Sequence, residues 1–315
     1  MTPEGNKIAV IGTGVIGASW CALFLARGYE VWAYDPDPTA ETTLRAALAR
    51  QWPSLVRLGL SAGADPARLH FGTDLAACLQ DAIFVQENGP ERLDLKIELF
   101  RRIEALLPPD VLIASSSSGL AISPIQAACQ SGHRMVIGHP FNPPHLIPLV
   151  EVVGGSAPEA TVAAATAFYA SLGKRPIVLR QELAGHIANR LQAALWREAM
   201  SLVAGGVCSA ADIDRAVEDG IGLRWALLGP FMNLELSGGE GGIAHNLTHM
   251  APAIESWWRD LGQVALTPDL IAALRLQLED MRGSKSVAQV DMAREQGLVD
   301  LLALKAMAVG AAPKA

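Results

Sequence analysis

The chain has 315 residues and a formal net charge of −7; half of it is hydrophobic and 18% is charged, which suits a globular protein of up to two domains. No block of basic residues favours a nucleic-acid partner. The apolar runs are too short to span a membrane and no signal peptide is recognisable, so we expect a cytoplasmic protein with no membrane partner.

The chain begins with the pattern of a strand, a glycine turn and a helix. Residues 8–11 form an apolar run, Gly12, Gly14 and Gly17 follow it, and Asp35 ends the next apolar run. Gly12 permits a tight turn, Gly14 lets the backbone approach a pyrophosphate, and Gly17 lets the helix pack closely on the strand. The amides at the helix N-terminus favour phosphate binding. This pattern predicts a dinucleotide site.

The acid at position 35 bears on which dinucleotide binds. Asp35 can accept hydrogen bonds from ribose hydroxyls but would repel a 2′-phosphate, and no arginine follows it in the next three positions. The sequence therefore predicts NAD as the cofactor. The turn residues expected to bind it, together with Asp35, are Gly12, Gly14, Val15, Ile16 and Gly17.

Strand and helix patterns alternate along the first half of the chain. Apolar runs of the strand type lie at residues 69–71, 82–86, 111–114, 134–138, 149–153 and 176–179. Helical patterns lie at residues 39–60, 75–79, 93–107, 122–129 and 158–172. This alternation predicts an α/β fold, a Rossmann-type doubly wound sheet rich in parallel strands, followed by an all-helical C-terminal domain.

The pattern changes near position 181, beyond which almost only helical signals remain. Residues 187–204 form a long amphipathic pattern, and Ser209 is a typical N-cap for the next helix. We therefore expect an NAD-binding domain over residues 1–182 and a helical substrate and dimerisation domain over residues 183–315. The tail at residues 311–315 is expected to be disordered.

A histidine and a glutamate stand out in the last third of the predicted sheet. His139 follows an apolar strand, at the carboxyl edge where open α/β sheets bind ligands. Glu151 lies inside the next apolar run, where a carboxylate is costly to bury without a partner. An ionised glutamate beside an imidazole favours the imidazolium form and can fix one tautomer. This pair suits the removal of an alcohol proton as a hydride leaves for nicotinamide.

Together these motifs resemble the L-3-hydroxyacyl-CoA dehydrogenase superfamily over essentially the whole chain. The resemblance places the family's catalytic histidine and glutamate on His139 and Glu151. It places the substrate-binding serine on Ser118, ahead of Leu120. The asparagine that the family uses near the reacting group falls on Asn189.

The resemblance also extends to the cofactor side of the site. An acidic stretch that ends in a lysine in the family matches Glu87, Glu91 and Lys96 in this chain. The resemblance therefore implies that Glu91 and Lys96 contribute to NAD binding.

The branch of the superfamily bears on the substrate. Enzymes that act on coenzyme A thioesters usually offer lysines to its phosphates, yet no lysine lies between positions 7 and 96. Residues 142–148 and 220–226 instead resemble the lambda-crystallin/L-gulonate 3-dehydrogenase branch, and residues 194–199 resemble the related L-carnitine dehydrogenases. The resemblance to these branches implies a small, free 3-hydroxy acid as the substrate.

A free acid needs a group to hold its carboxylate. The planar guanidinium of Arg224 can bind both oxygens, although a surface or interface ion pair is the alternative role for this residue. A carnitine substrate would also need an aromatic cage for its quaternary ammonium. The tryptophans that could form one are Trp196, Trp225, Trp257 and Trp258, although tryptophans at helical spacing are more often core residues. The sequence ranks a gulonate-like acid first, L-carnitine next and an acyl-CoA ester last.

A non-catalytic role, as a crystallin-like or NAD-binding protein, is the remaining alternative; an intact His139–Glu151 pair disfavours it.

The broad apolar faces beyond residue 183 and the resemblance both predict a homodimer. His145 is expected on a loop surface or near the substrate, and His186 on a helix face.

No metal site is expected from the sequence. His245 and His249 are one helical turn apart but lack a third ligand. The scattered cysteines fit buried thiols in a reducing compartment better than a disulfide framework. They are Cys21, Cys78, Cys129 and Cys208.

Overall fold

The structure, a computed structural model, describes residues 6–310, so the tail whose disorder the sequence predicts lies outside it. The strands are β1 Lys7–Ile11, β2 Glu30–Tyr34, β3 Leu69–Gly72, β4 Ala82–Glu87, β5 Leu112–Ser115, β6 Met135–Pro140, β7 Leu149–Val153 and β8 Arg175–Leu179. The helices that accompany them are α1 Val15–Ala26, α2 Ala40–Leu58, α3 Leu75–Leu79, α4 Leu93–Leu106, α5 Ser123–Ala128 and α6 Glu159–Ser171.

The strands form one 8-stranded sheet in the order β3-β2-β1-β4-β5-β6-β7-β8. Neighbouring strands are parallel except β6 and β7, which are antiparallel. The predicted parallel-rich, doubly wound sheet is therefore confirmed. The strand order reverses between β1 and β4, and such a switch point opens a crevice at the carboxyl ends of the strands.

Helices cover both faces of the sheet because alternate strand residues point to opposite sides. In β1, Ile8 and Val10 join the core cluster under α1 and α6, while Ala9 and Ile11 join the cluster under α3, α4 and α5. Helix α1 is buried along almost its whole length, as its apolar sequence requires. The sheet is thereby a rigid frame that fixes where the polar residues at its carboxyl edge lie.

Beyond β8 the described chain is helical. The helices are α7 Ala188–Ala204, α8 Ala210–Ala216, α9 Gly222–Leu227, α10 Pro230–Ser237, α11 Gly242–Asp260, α12 Pro268–Arg282 and α13 Val287–Gly310. Ser209 caps α8 as predicted, in a capping box with Asp212. No helix in residues 6–310 is long and apolar enough to cross a membrane.

The chain divides into two compact units. The first ends at Arg190 and also takes in Glu295–Ala303 from the last helix. The second comprises Leu191–Arg294 and continues from Leu304. A short segment of α13 thus belongs to the same unit as the sheet. Sequence periodicity could not reveal this assignment, because the pattern of a continuous helix does not indicate which elements the helix packs against.

The predicted strand bounds differ from the observed ones by at most two residues, and those of β7 agree at both ends. The one that matters is β6, which runs on to Pro140 and so contains His139. The sequence placed His139 just past the strand, which is wrong. Pairing with the antiparallel β7 extends the ladder past the parallel contact with β5 and takes in the histidine.

Candidate active site

The glycine turn after β1 has the features that the sequence predicts. Gly12 has a φ of +86°, and a Cβ built on it would meet the Asn88 carbonyl oxygen at 2.8 Å. A Cβ on Gly17 would lie 1.9 Å from the Gly12 oxygen, so only glycine allows this packing. A Cβ on Gly14 would meet nothing within 4 Å, which leaves open space beside the backbone at the N-terminus of α1. A pyrophosphate fits this space because it needs close backbone approach.

The two residues after Gly14 begin helix α1. Val15 is 71% exposed, while Ile16 is half-buried and packs against the core. Asp35 follows β2 at the same edge. Its carboxylate accepts hydrogen bonds from the backbone amide and the hydroxyl of Thr13, both at 3.0 Å. The acid is therefore held against the glycine turn, where the ribose of a dinucleotide belongs.

A buried ion pair lies at the ends of β4 and β5. The Lys96 ammonium donates to both oxygens of Glu87, at 2.8 and 2.9 Å, and the Ser115 hydroxyl donates to Glu87 Oε2 at 2.6 Å. Both charged side chains are at most 1% exposed. A buried pair of this kind is tolerated because every oxygen and the ammonium are hydrogen-bonded. In this arrangement Lys96 fixes the Glu87 carboxylate at the end of β4.

Glu91 organises the loop that follows β5. Its Oε1 accepts hydrogen bonds from the Ser117 hydroxyl at 2.7 Å and from the amides of Ser118, Gly119 and Leu120 at 3.0, 2.7 and 3.3 Å. Burial raises the pKa of Glu91, but these hydrogen bonds outweigh it and hold the pKa below its ordinary value. One carboxylate thus shapes the whole turn, hereafter the serine loop (residues 117–120).

In the run of four serines at residues 115–118, Ser118 differs from its neighbours. Ser115, Ser116 and Ser117 each use their hydroxyl in a hydrogen bond to a described residue. The Ser118 side chain is exposed and its hydroxyl makes no hydrogen bond to any residue in the range 6–310. Ser118 is therefore the member of the run whose hydroxyl is not used within residues 6–310.

His139 and Glu151 face each other across the β6–β7 ladder. They are register partners in the antiparallel pair, which places their side chains on the same face of the sheet. His139 Nδ1 lies 2.8 Å from Glu151 Oε2, and both side chains are buried. The Nε2 atom of His139 makes no hydrogen bond within the described chain. The carboxylate thus holds one ring nitrogen and leaves the other for a ligand.

The second oxygen of Glu151 is also held. Oε1 accepts hydrogen bonds from the amides of Ile187 and Ala188, at 2.8 and 3.0 Å, at the start of α7. Burial alone raises the pKa of Glu151, but the bonds from His139 and the two amides hold the pKa below its ordinary value. The glutamate therefore remains ionised, and the helix N-terminus adds favourable charge.

Asn189 lies in the first turn of the same helix. Its side chain is half-buried and makes no hydrogen bond to any residue that the structure describes. The amides of Ile187 and Ala188 bind Glu151, and Asn189 is the next residue in the chain. The helical turn that carries Asn189 is therefore attached to the His139–Glu151 pair. An amide there has both donor and acceptor capacity for a hydroxyl or a carbonyl.

Two further histidines are buried. His186 is not on a helix face; it lies in the turn before α7, is 3% exposed, and its ring centroid is 4.9 Å from that of His139. His145 is not on a loop surface; it is 3% exposed, and its Nδ1 lies 2.8 Å from the Ser19 hydroxyl. The helix-face prediction for His186 and the loop-surface alternative for His145 are wrong because long-range contacts, not local periodicity, bury both rings.

Hydrogen bonds from a buried lysine hold the loop that joins β6 to β7. Lys174, which is buried, donates to the carbonyls of Pro144 and Ile147. Burial lowers the pKa of Lys174 to about 7, with a further contribution from Arg27. These bonds, with the Ser19–His145 contact, hold the proline-rich loop and hence the ends of the two strands that carry the catalytic candidates.

Arg224 lies in the second unit. Its side chain is exposed and borders a cavity of about 670 Å³ within that unit. The cavity walls also include Trp225, Asn233, His245, His249 and Trp257. The His245 and His249 rings stack 6.3 Å apart. No group of three histidine, cysteine or acidic side chains able to hold a metal ion is present among the described residues.

Ser117 was not singled out from the sequence, and its hydroxyl bonds to Glu91. Glu87 was matched to the family's acidic stretch without a role, and His186 was expected on a helix face; Glu87 instead pairs with Lys96, and His186 packs on His139. The serine run signalled the first of these, since consecutive serines after a strand are unusual in a core. For His186 the only local signal is the preceding Gly185, whose φ is +76°.

Family models match nearly the whole chain. The NAD-binding domain of 3-hydroxyacyl-CoA dehydrogenase matches residues 7–183, and the C-terminal domain of the same enzyme matches residues 185–284. Among curated proteins, the chain is 47% identical to L-carnitine dehydrogenase of Streptomyces coelicolor over 96% of this chain and 95% of that protein. It is 45% identical to L-carnitine dehydrogenase of Pseudomonas aeruginosa over 95% of this chain and 94% of that protein.

Solved structures agree with this picture. A 5-formyl-3-hydroxy-2-methylpyridine 4-carboxylic acid 5-dehydrogenase, described as an NAD⁺-dependent dismutase, superposes with a TM-score of 0.80 at 29% identity, covering 95% of this chain and 98% of that one. The (S)-3-hydroxybutyryl-CoA dehydrogenase of Ralstonia eutropha has a TM-score of 0.62 at 25% identity, covering 78% and 86%. The predicted resemblance is confirmed: the chain belongs to the 3-hydroxyacyl-CoA dehydrogenase family and is an NAD-dependent dehydrogenase of a secondary alcohol.

Proposed function

We propose that this chain is an L-carnitine 3-dehydrogenase that uses His139 as its general base. The observation that carries the proposed chemistry is the buried His139–Glu151 pair, which leaves His139 Nε2 without a partner in the described chain. The sequence ranked a gulonate-like acid above L-carnitine, but relatives that are 42–47% identical are named L-carnitine dehydrogenases, which favours carnitine.

In this proposal the alcohol proton passes to His139 Nε2 as the carbonyl forms. Glu151, ionised and held by two amides, stabilises the imidazolium that results. Ser118 and Asn189 are proposed to hold the reacting oxygen, since neither side chain bonds to the described protein. Bound NAD⁺ would accept the hydride from the carbon that bears the hydroxyl.

The cofactor is assigned to the glycine turn and Asp35. The open space at Gly14 would take the pyrophosphate and the Asp35 carboxylate the ribose hydroxyls. Glu91 and Lys96 are proposed to support NAD binding indirectly. Glu91 fixes the serine loop, and Lys96 fixes Glu87 at the end of β4.

Carnitine carries a carboxylate and a quaternary ammonium besides its hydroxyl. Arg224 is proposed to bind the carboxylate, because its planar fork matches both oxygens. Trp225 and Trp257 border the same cavity and offer aromatic faces to the ammonium. A coenzyme A ester is disfavoured because no lysine lies between positions 7 and 96 to meet its phosphates.

We also propose that the chain forms a homodimer through its helical unit. Large apolar side chains there are widely exposed: Leu191 is 62%, Phe231 is 76% and Trp258 is 67% exposed. So much exposed apolar surface marks an interaction face. A symmetric pair of copies is the commonest way to cover such a face.

The cofactor assignment predicts that the enzyme prefers NAD⁺ to NADP⁺. Asp35→Ala should narrow that preference, because the carboxylate that repels a 2′-phosphate is removed. The measurement is kcat/KM with each cofactor at saturating hydroxy acid. Asp37→Ala is the matched control, since the side chain of this neighbouring acid is exposed and, among the described residues, accepts hydrogen bonds only from Thr39. Equal efficiency of the unmodified enzyme with both cofactors would contradict the assignment.

His139→Ala should lower kcat by about 10²–10⁴-fold, the usual contribution of a general base. Glu151→Gln should lower kcat in the same direction, because the imidazolium loses its carboxylate. NADH binding, followed by fluorescence, should be unchanged in both variants. If His139→Ala keeps most of its activity, the base lies elsewhere.

The substrate assignment predicts that L-carnitine is oxidised with a higher kcat/KM than L-gulonate, L-3-hydroxybutyrate or a 3-hydroxyacyl-CoA. Arg224→Lys should raise KM for L-carnitine, and Arg224→Met should raise it further, because a desolvated carboxylate loses its bidentate partner. Arg275→Met, which removes an exposed arginine of the same unit, is the control. Preference for the CoA ester with unchanged carnitine kinetics in Arg224→Met would overturn the free-acid assignment.

The oligomer is tested by light scattering at micromolar concentration. The mass should be twice that of one chain, and Trp258→Glu should shift it toward one chain because a charge would be placed in an apolar interface. A monomeric mass for the unmodified protein would contradict the proposal.

A further inference from the structure

His186 occupies a backbone conformation that side chains rarely adopt. Its φ is +48°, and Gly185 before it has a φ of +76°. Two consecutive left-handed residues are uncommon, and the second carries a Cβ. Such a conformation persists only where surrounding contacts determine it, and it is concentrated at functional sites.

Three contacts determine this conformation. His186 Nε2 lies 3.0 Å from the Ser117 carbonyl oxygen, so it carries the hydrogen and donates it to the serine loop. The ring packs at 46° against His139, with centroids 4.9 Å apart. The next two amides, of Ile187 and Ala188, bind Glu151. His186 thus contacts the serine loop and His139 directly, and the two residues that follow it contact Glu151.

The other nitrogen of the ring is unusual. With Nε2 protonated, Nδ1 is an acceptor, and it is buried without a hydrogen-bond partner in the part of the chain that the structure describes. Burial lowers the pKa of His186, and nearby His139 lowers it further, while the Ser117 bond, Glu151 and Glu91 act in the opposite direction. The ring is therefore neutral beside a histidine that must gain a proton.

We propose that His186 is a positioning residue for the dehydrogenase reaction, which holds the serine loop at a fixed place relative to His139. Its N–H sets the position of Ser117 and hence of Ser118, and its ring face sets the plane of the His139 imidazole. Because the ring stays neutral, the alcohol proton has one acceptor, His139, rather than two. This inference rests on the roles proposed above for His139, Glu151 and Ser118.

Two substitutions separate the two contacts. His186→Phe keeps an aromatic ring against His139 and removes the donor to Ser117. His186→Gln removes the ring but places an N–H at the same number of bonds from the backbone. His133→Phe, at an exposed histidine of the same unit, is the matched control.

The expected results differ between the variants. His186→Phe should raise KM for the hydroxy acid about tenfold, the equivalent of one hydrogen bond, with a smaller change in kcat. His186→Gln should restore KM to within about twofold and instead lower kcat and shift the acid limb of the pH profile, since His139 loses its packing partner. NADH affinity and the thermal midpoint should match those of the control in both variants.

Some outcomes would overturn the inference. Kinetics within about twofold of the unmodified enzyme in both variants would do so, as would equal losses accompanied by a lower thermal midpoint, which indicate a structural role only. The kinetics use whichever hydroxy acid the unmodified enzyme turns over best, so a failure of the carnitine assignment alone leaves this result readable.

A readout without substrate completes the test. Nitrogen-15 NMR of the histidine rings at neutral pH should show His186 as the neutral tautomer with its proton on Nε2, and the His139 signals should move in His186→Gln. A protonated His186 ring, or a proton on Nδ1, would overturn the inference even if the enzyme turned over none of the hydroxy acids tested.

Discussion

The antiparallel pairing of β6 with β7 is the constraint on which the candidate site depends. In an otherwise parallel sheet, this one reversal sets His139 directly across from Glu151. The buried carboxylate would be costly alone, and it is accepted because the imidazole and two helix amides bind both of its oxygens. The same contacts dock the start of α7, so His139, Glu151 and the helical turn that carries Asn189 are held by one network.

A second network contains two carboxylates at the carboxyl edge of the sheet, the buried Glu87 and Glu91, whose side chain is 44% exposed. Glu87 is neutralised by Lys96, and Glu91 gathers the amides of the serine loop. Both acids act on backbone and hydroxyl groups at the carboxyl edge of the sheet, where the strand order reverses. Electrostatic groups fixed in this way need little reorganisation during a reaction. The two acids thus fix the hydroxyls of Ser115 and Ser117 and the amides of residues 118–120.

Family membership and chemistry follow from different observations. The matches over residues 7–183 and 185–284 define the family, whereas the proposed base rests on the geometry of the buried His139–Glu151 pair. The proposed substrate contacts rest on the helical unit, where Arg224 borders a cavity that also has tryptophan walls. One fold can host several substrates when the residues that contact them lie outside its structural frame.

The sequence alone determined the glycine turn, the order of strands and helices, the Ser209 cap and the identity of the histidine–glutamate pair. These signals are local, since periodicity, turn chemistry and motif spacing act within a few residues. The tertiary structure alone decided that β7 runs antiparallel, that Lys96 is buried against Glu87, and that His186 packs on His139. Hydrogen bonds such as that from His186 to Ser117 join residues far apart in sequence, and only the folded sheet brings them together.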